Sequence, residues 1–269
     1  TIGRRLGLMP PAGSPVEQRM NKAFNARTKV ARRLVAPHGT EEVAEGVWKL
    51  QGEPGKCNVY FVRDGDGVLM FDAGARTMVN AVAAAAAQLG GLTRIVLGHG
   101  HTDHRGTAPS FDVPVLCHPD EVVDAEGSGG FRYWDSDLRH LRFPLRQAHK
   151  LLHAKAWDGG PVKIADTVSE GDDVGGFRVV HLPGHAPGMI ALWRESDRVA
   201  LSTDAFYTVD MWGRDSEPHL PMAGYNFDHE QARESLRKLA ALEPATCHPG
   251  HAKPISGDVG AQLERAASE

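Results

Sequence analysis

Short, almost unbroken apolar runs recur along the chain, each closed by glycine, proline or aspartate. Runs of this length read as strands. Residues 43–50 predict the first strand. Residues 58–62 and 68–71 follow as a hairpin around Asp64-Gly65-Asp66-Gly67, a favourable turn sequence. The pattern then changes: residues 76–89 hold an alanine run that predicts a helix, stopped by Gly90-Gly91. Strands are expected next at 93–98 and 113–117, with a short helix starting near Pro119. The strand pattern returns at 177–182, 190–194 and 198–202. Asp228 is placed as the N-cap of a helix over 230–242, and 245–247 is a last short strand. Strands dominate, a helix recurs after several of them, and hairpins persist. Two packed sheets with helices outside are predicted.

Two segments depart from this rhythm. Residues 1–40 hold eight Lys or Arg (Arg4, Arg5, Arg19, Lys22, Arg27, Lys29, Arg32, Arg33) against Glu17, although the whole chain carries a net charge of −4. They are read as a basic, helical extension docked on the body through Val16, Met20, Phe24, Val30 and Leu34. Few aromatics interleave with these charges, so a nucleic-acid partner is not expected. Residues 41–269 form the remaining domain. Within it, about 127–160 is read as a mostly helical insertion rich in aromatics (Phe131, Tyr133, Trp134, Phe143, Trp157), which makes a homodimer an expectation. No apolar run nears the roughly 18–20 residues that span a bilayer, and residues 6–9 are too few for a signal peptide core. Cys57, Cys117 and Cys247 are odd in number and far apart, so no disulfide framework is expected. A cytoplasmic protein without membrane partners follows as the expectation.

The densest chemistry is His99-Gly100-His101-Thr102-Asp103-His104. Neutral imidazole and carboxylate are the donors that a borderline divalent metal such as zinc takes. The run follows a buried strand, and Gly98 and Gly100 loosen the backbone where the chain turns. Three later positions repeat the theme of a histidine or aspartate just past a strand: His185 after Pro183-Gly184, Asp204 after Ser202-Thr203, and His251 after His248-Pro249-Gly250. His99, His101, Asp103, His104, His185, Asp204 and His251 are thus seven candidate ligands, enough for two adjacent ions sharing a carboxylate.

With Asp72 in Phe71-Asp72-Ala73-Gly74, these motifs stand in an order that resembles the metallo-β-lactamase superfamily over roughly residues 43–255. The resemblance implies an α/β fold, the αββα sandwich of two packed mixed sheets flanked by helices, with the site at one sheet edge. It implies that His99, His101 and His185 hold one metal, that Asp103, His104 and His251 hold the second, and that Asp204 bridges them. Asp72 would orient ligand imidazoles from behind, while His118 and His248 match no ligand position. The implied cofactors are two divalent metal ions, zinc first, with iron, manganese or cobalt as alternatives.

The implied reaction is hydrolysis of a small ester-like substrate by a metal-bridging hydroxide, with Asp103 as proton carrier. Tyr207, three residues after Asp204, resembles a tyrosine of the N-acyl homoserine lactonases and favours a lactone. Asp204 argues against a true β-lactamase and His101 against the diiron flavoproteins. The 18 residues after His251 are too few for the helical domain of glyoxalase II. A phosphodiesterase, nuclease or thioesterase of the same fold, and a persulfide dioxygenase with a single iron, are the alternatives. A non-catalytic protein is disfavoured because every ligand position is filled. The pocket wall is expected from Phe206, Tyr207, Met211, Trp212, Tyr225 and Phe227 and from the 127–160 insertion, whose large apolar side chains suit a hydrophobic substituent.

Overall fold

The computed structural model describes residues 39–53, 55–127, 147, 151, 153–210 and 212–268. The expected basic extension lies almost wholly outside the described residues, as do Met211 and most of the 127–160 insertion.

Strands β1 (Thr40–Ala44), β2 (Val47–Gly52), β3 (Cys57–Asp64) and β4 (Gly67–Phe71) run antiparallel, each to the next. The run at 43–50, expected as one strand, is divided between two. Gly46 takes φ +70° and folds β1 onto β2, a turn hidden inside an apolar run that only its glycine could have signalled. Helix α1 (Val79–Gln88), entered through a 3-10 turn at Arg76–Met78, carries the chain to β5 (Leu92–Val96), parallel to β4. Gly90 and Gly91, at φ +107° and +95°, end that helix as expected. Then come α2 (Thr102–Arg105), β6 (Val115–Cys117), α3 (Val122–Glu126) and β7 (Asp166–Thr167), which complete a seven-stranded mixed sheet in the order β1-β2-β3-β4-β5-β6-β7.

The second sheet draws on β8 (Asp173–Val174), β9 (Phe177–His181), β10 (Ile190–Arg194) and β11 (Val199–Thr203). A separate hairpin, β12 (Tyr207–Val209) and β13 (Asp215–His219), precedes α4 (His229–Ala240), whose N-cap Asp228 accepts from the backbone of Gln231. Strands β14 (Thr246–Pro249) and β15 (Ile255–Ser256) complete the six-stranded order β15-β14-β11-β10-β9-β8, and α5 (Val259–Ser268) follows.

Side-chain alternation assigns the layers. Tyr60, Val62, Leu69 and Phe71 of the first sheet meet Phe177, Val179, Ile190, Leu192 and Leu201 of the second in one central core. Their neighbours Val59, Phe61, Val68 and Met70 turn the other way and pack with Val82, Ala85 and Ala86 of α1. Val180, Ala191, Trp193 and Ala200 pack with Leu236 and Leu239 of α4 and Leu263 of α5. This is the αββα sandwich, and it explains why the strands read as continuous apolar runs. No helix among the described residues is long and apolar enough to cross a membrane.

Strand direction then positions the chemistry. Strand β10 is antiparallel to both β9 and β11, and β14 is parallel to β11, so β9, β11 and β14 all end at the same edge. Parallel β4 and β5 likewise end together.

Leu69 is fully buried between the sheets. Leu69→Ala should cost about 2–5 kcal/mol, seen as a lower denaturant midpoint at unchanged slope. A cost under about 0.5 kcal/mol, the scale of surface substitutions, would contradict this packing.

Candidate metal centre

Asp72 closes β4 and Thr203 ends β11, both in the left-handed region at φ +57° and +43°. Such values are uncommon without glycine and cluster where a site imposes them. The two residues are bonded to each other: Thr203 Oγ1 donates to Asp72 Oδ2 at 2.7 Å. Asp72 Oδ1 accepts from the backbone of Gly98 at 2.7 Å, and Oδ2 also accepts from His104 Nδ1 at 2.9 Å.

This network sets the tautomers of the candidate ligand histidines. The hydroxyl proton of Thr203 is given to Asp72, so its oxygen accepts from His99 Nδ1 at 3.2 Å. His185 Nδ1 donates to Asn226 Oδ1 at 3.1 Å, and His251 Nδ1 donates to Gly55 O at 2.8 Å. The amide of Asn226 cannot be reversed, because its Nδ2 donates to Pro221 O at 3.0 Å. His99, His104, His185 and His251 therefore all point Nδ1–H outward and Nε2 inward.

The inward atoms converge. His185 Nε2 lies 3.1 Å from His101 Nδ1, and His104 Nε2 lies 3.3 Å from His251 Nε2. Asp204 reaches all four inward Nε2 atoms, with Oδ1 3.2 Å from His104 and Oδ2 3.5 Å from His185, 3.5 Å from His251 and 4.0 Å from His99. Asp103 Oδ2 is 3.5 Å from His251 Nε2. Two donors each about 2.0–2.1 Å from a tetrahedral ion stand roughly 3.3 Å apart. Lone pairs facing one another at that spacing repel unless a cation lies between them. His99 Nε2 is moreover buried without a hydrogen-bond partner. The donors thus fit a divalent metal, and the groups that could hold one include His99, His101 and His185, and separately His104, Asp204 and His251.

Electrostatics divide the cluster in two. Burial and neighbouring imidazoles depress His101 to about 3 and His99 well below the ordinary histidine value; burial also lowers His185. His104 and His251 go the other way. Burial opposes their charge, but Asp204, joined by Asp72 and Asp103 at His104 and by Cys57 at His251, holds both well above the usual value. Asp204 and Asp103, despite burial, are held below the usual carboxylate range by His104 and His251. Protons on His104 and His251 thus supply the charge that a metal would bring.

Several residues around the cluster were not anticipated. Glu121, fully buried, accepts from Gly100 N at 2.6 Å and from Gly188 N at 2.8 Å, tying the loop of His101 to that of His185. Thr203 and Asn226 set tautomers as described. None has a sequence signal, since each bond joins distant segments. Tyr207 Oη donates to Asp204 Oδ2 at 2.8 Å, and its ring meets His251 edge-on at 5.2 Å between centroids. Phe206, expected in the pocket wall, is instead fully buried in the core beneath α4. Adjacent residues point to opposite sides, so the parity that brings Tyr207 to the site turns Phe206 inward. Trp157 likewise packs against the core beside α1. His118 stacks on His181 at 4.2 Å, and His248 is buried edge-on to Tyr60.

An αββα sandwich that gathers imidazoles and carboxylates at one sheet edge defines a class of metalloenzymes. The profile of the Metallo-beta-lactamase superfamily matches residues 52–251, and the chain belongs to that superfamily. It is 31% identical over 241 residues to a Bacillus subtilis (strain 168) protein named probable metallo-hydrolase YflN, covering 80% of this chain and 87% of that one. An N-acyl homoserine lactonase of Bacillus sp is 28% identical over 152 residues, 55% of this chain and 50% of that protein. Among solved structures, the metallo-beta-lactamase family protein TTHA1429 of Thermus thermophilus superposes with a TM-score of 0.61 at 24% identity, covering 84% of this chain and 79% of that one. TTHA1623 in a di-iron-bound form gives 0.54 at 26%, covering 81% and 97%.

Because His104 and His251 hold protons where a metal would sit, metal uptake should release protons. Affinity should then rise with pH until those histidines are neutral, by up to about tenfold per released proton for each pH unit. Titration calorimetry in buffers of different ionisation enthalpy measures this; uptake without proton release would refute it.

Proposed function

We propose that the chain is a dinuclear metal-dependent hydrolase of small ester-like substrates, with a lactone favoured. The observation that carries this reading is the convergence of inward-facing ring nitrogens on two positions beside Asp204. His99, His101 and His185 would hold one ion and Asp103, His104 and His251 the other, with Asp204 available to both and Asp72 orienting His104. Zinc is the first choice for such a donor set, though iron, manganese and cobalt accept the same ligands. When bound, the pair supplies an acidified water and an electrophile for the substrate oxygen. The di-iron form of a related fold and the similarity to a lactonase support two ions and a lactone.

The chain's own residues do the rest. Burial, and then the charges of Asp204 and Asp103, push the Tyr207 phenol well above its usual pKa, so it remains an O–H donor at neutral pH. In exchange for Asp204 it donates to the carbonyl oxygen of the substrate as negative charge builds there. Asp103, beside His251 and only partly buried, is held ionised, so it first takes the proton given up by the attacking water and then passes it to the departing alkoxide. Tyr225 and Phe227 flank Asn226, which is bonded to His185, and Trp212 stands in the loop of the hairpin that begins at Tyr207. Phe227 is 57% exposed and Trp212 73%. Apolar groups left open in this way beside polar chemistry suit a small molecule with a hydrophobic acyl substituent.

Zinc-loaded protein should hydrolyse members of a panel of acyl homoserine and simple lactones followed with a pH indicator. Asp103→Asn should lose about 10²–10⁴-fold in rate. No turnover with metal shown to be bound would remove the lactone reading and direct the search to thioesters and phosphodiesters. Tyr207→Phe should raise the barrier by about 1–3 kcal/mol, the scale of one lost donor. Unchanged kinetics on a lactone would take Tyr207 out of the chemistry.

A further inference from the structure

Backbone register decides what stands beside His251. Asn58 N donates to Gly250 O at 2.7 Å and Ala252 N donates to Lys56 O at 2.9 Å, so Cys57 and His251 face each other in an isolated antiparallel bridge. The flanking residues make these bonds, which makes Cys57 and His251 a non-hydrogen-bonded pair. In such pairs the Cα atoms approach to about 4.5 Å and both side chains leave on the same face. The thiol is therefore set beside the imidazole by the fold itself.

A third group completes the arrangement. Cys57 Sγ, a carboxylate oxygen of Asp103 and a ring nitrogen of His251 all lie within 4.8 Å of one another. Cys57 is 1% exposed, so the sulfur is shielded from solvent beside these two groups. Asp204 Oδ1, grouped with His104 and His251, is buried without a hydrogen-bond partner and lies 3.2 Å from His104 Nε2. That oxygen has lone pairs left for a cation.

We propose that Cys57 supplies a thiolate ligand at the Asp103–His104–His251 position, an inference that rests on the two-metal reading above. The thiol proton leaves to solvent as the sulfur–metal bond forms, one proton for the single ion that Cys57 binds, besides those released by His104 and His251, with no oxidant or reductant involved. A thiolate makes the two positions unequal. The first offers imidazole and the shared carboxylate, whereas the second adds a soft donor that favours zinc, cobalt or cadmium over manganese. Among the described residues, neither Cys117 nor Cys247 stands in a group that could hold a metal, and they take no part.

Cobalt(II) tests this directly, because its visible ligand-field bands report that metal is bound and a near-ultraviolet charge-transfer band reports sulfur. Cobalt-loaded wild type should show both, Cys57→Ala and Cys57→Ser should keep only the visible bands, and Cys247→Ala should keep both. Visible bands without charge transfer in the wild type, or charge transfer that survives Cys57→Ala, would overturn the thiolate and leave the metal centre standing. Neither band at saturating cobalt would overturn both readings. Cadmium-113 NMR of the unaltered protein gives a second readout independent of any variant: a strongly deshielded resonance is expected with sulfur bound, and its absence in cadmium-loaded protein would overturn the proposal.

Discussion

Asp72 accepts hydrogen bonds from both sheets at once. It sits at the end of β4, takes the backbone N–H of Gly98 just past β5, and takes the hydroxyl of Thr203 at the end of β11. A carboxylate with no exposed surface is costly unless its lone pairs are used, and here they are used to hold the two sheet edges together. The third bond, from His104 Nδ1, turns the same anchor toward chemistry. The left-handed backbone at Asp72 and Thr203 is the local cost of bringing the two side chains face to face.

From that anchor the orientation of the ligands follows by tautomer logic. Each imidazole has one proton to place, and the fold offers an oxygen behind each: Thr203 for His99, Asp72 for His104, Asn226 for His185 and the Gly55 carbonyl for His251. These acceptors come from four different segments. The centre is thus organised before any metal arrives, and what remains inside is a surplus of lone pairs around Asp204. Protons on His104 and His251 relieve that surplus until a divalent ion replaces them.

The strands at 58–62, 68–71, 177–182 and 190–194 were legible because both of their faces are buried, which leaves few polar residues inside the runs. Candidate ligands were legible because their donor atoms are chemically distinctive and recur just past strands. The acceptors behind them were not. Thr203, Asn226 and Glu121 are ordinary polar residues whose roles exist only once segments up to 131 residues apart have met. The hairpin β12–β13 escaped for another reason: its second strand, Asp-Ser-Glu-Pro-His, is polar, includes a proline and lies outside both main sheets. The expected pocket wall holds only in part, since apolarity alone cannot tell Phe206 in the core from Phe227 in the open.

The turn after β14 shows how tightly such a site constrains its surroundings. A Cβ at Gly250 would overlap Asp204 Oδ1 and come within 2.7 Å of His104 Cε1, so only glycine lets the backbone pass against the Asp204 carboxylate. That close passage puts Gly250 O within reach of Asn58 N. The bond in turn fixes the register of β3 against the 250–252 turn and brings residue 57 beside His251. The side chain at 57 faces the centre whatever its chemistry, because the glycine that makes room for Asp204 also sets this neighbour. An apolar residue there would only fill space; a cysteine brings a donor, and this sequence has the cysteine.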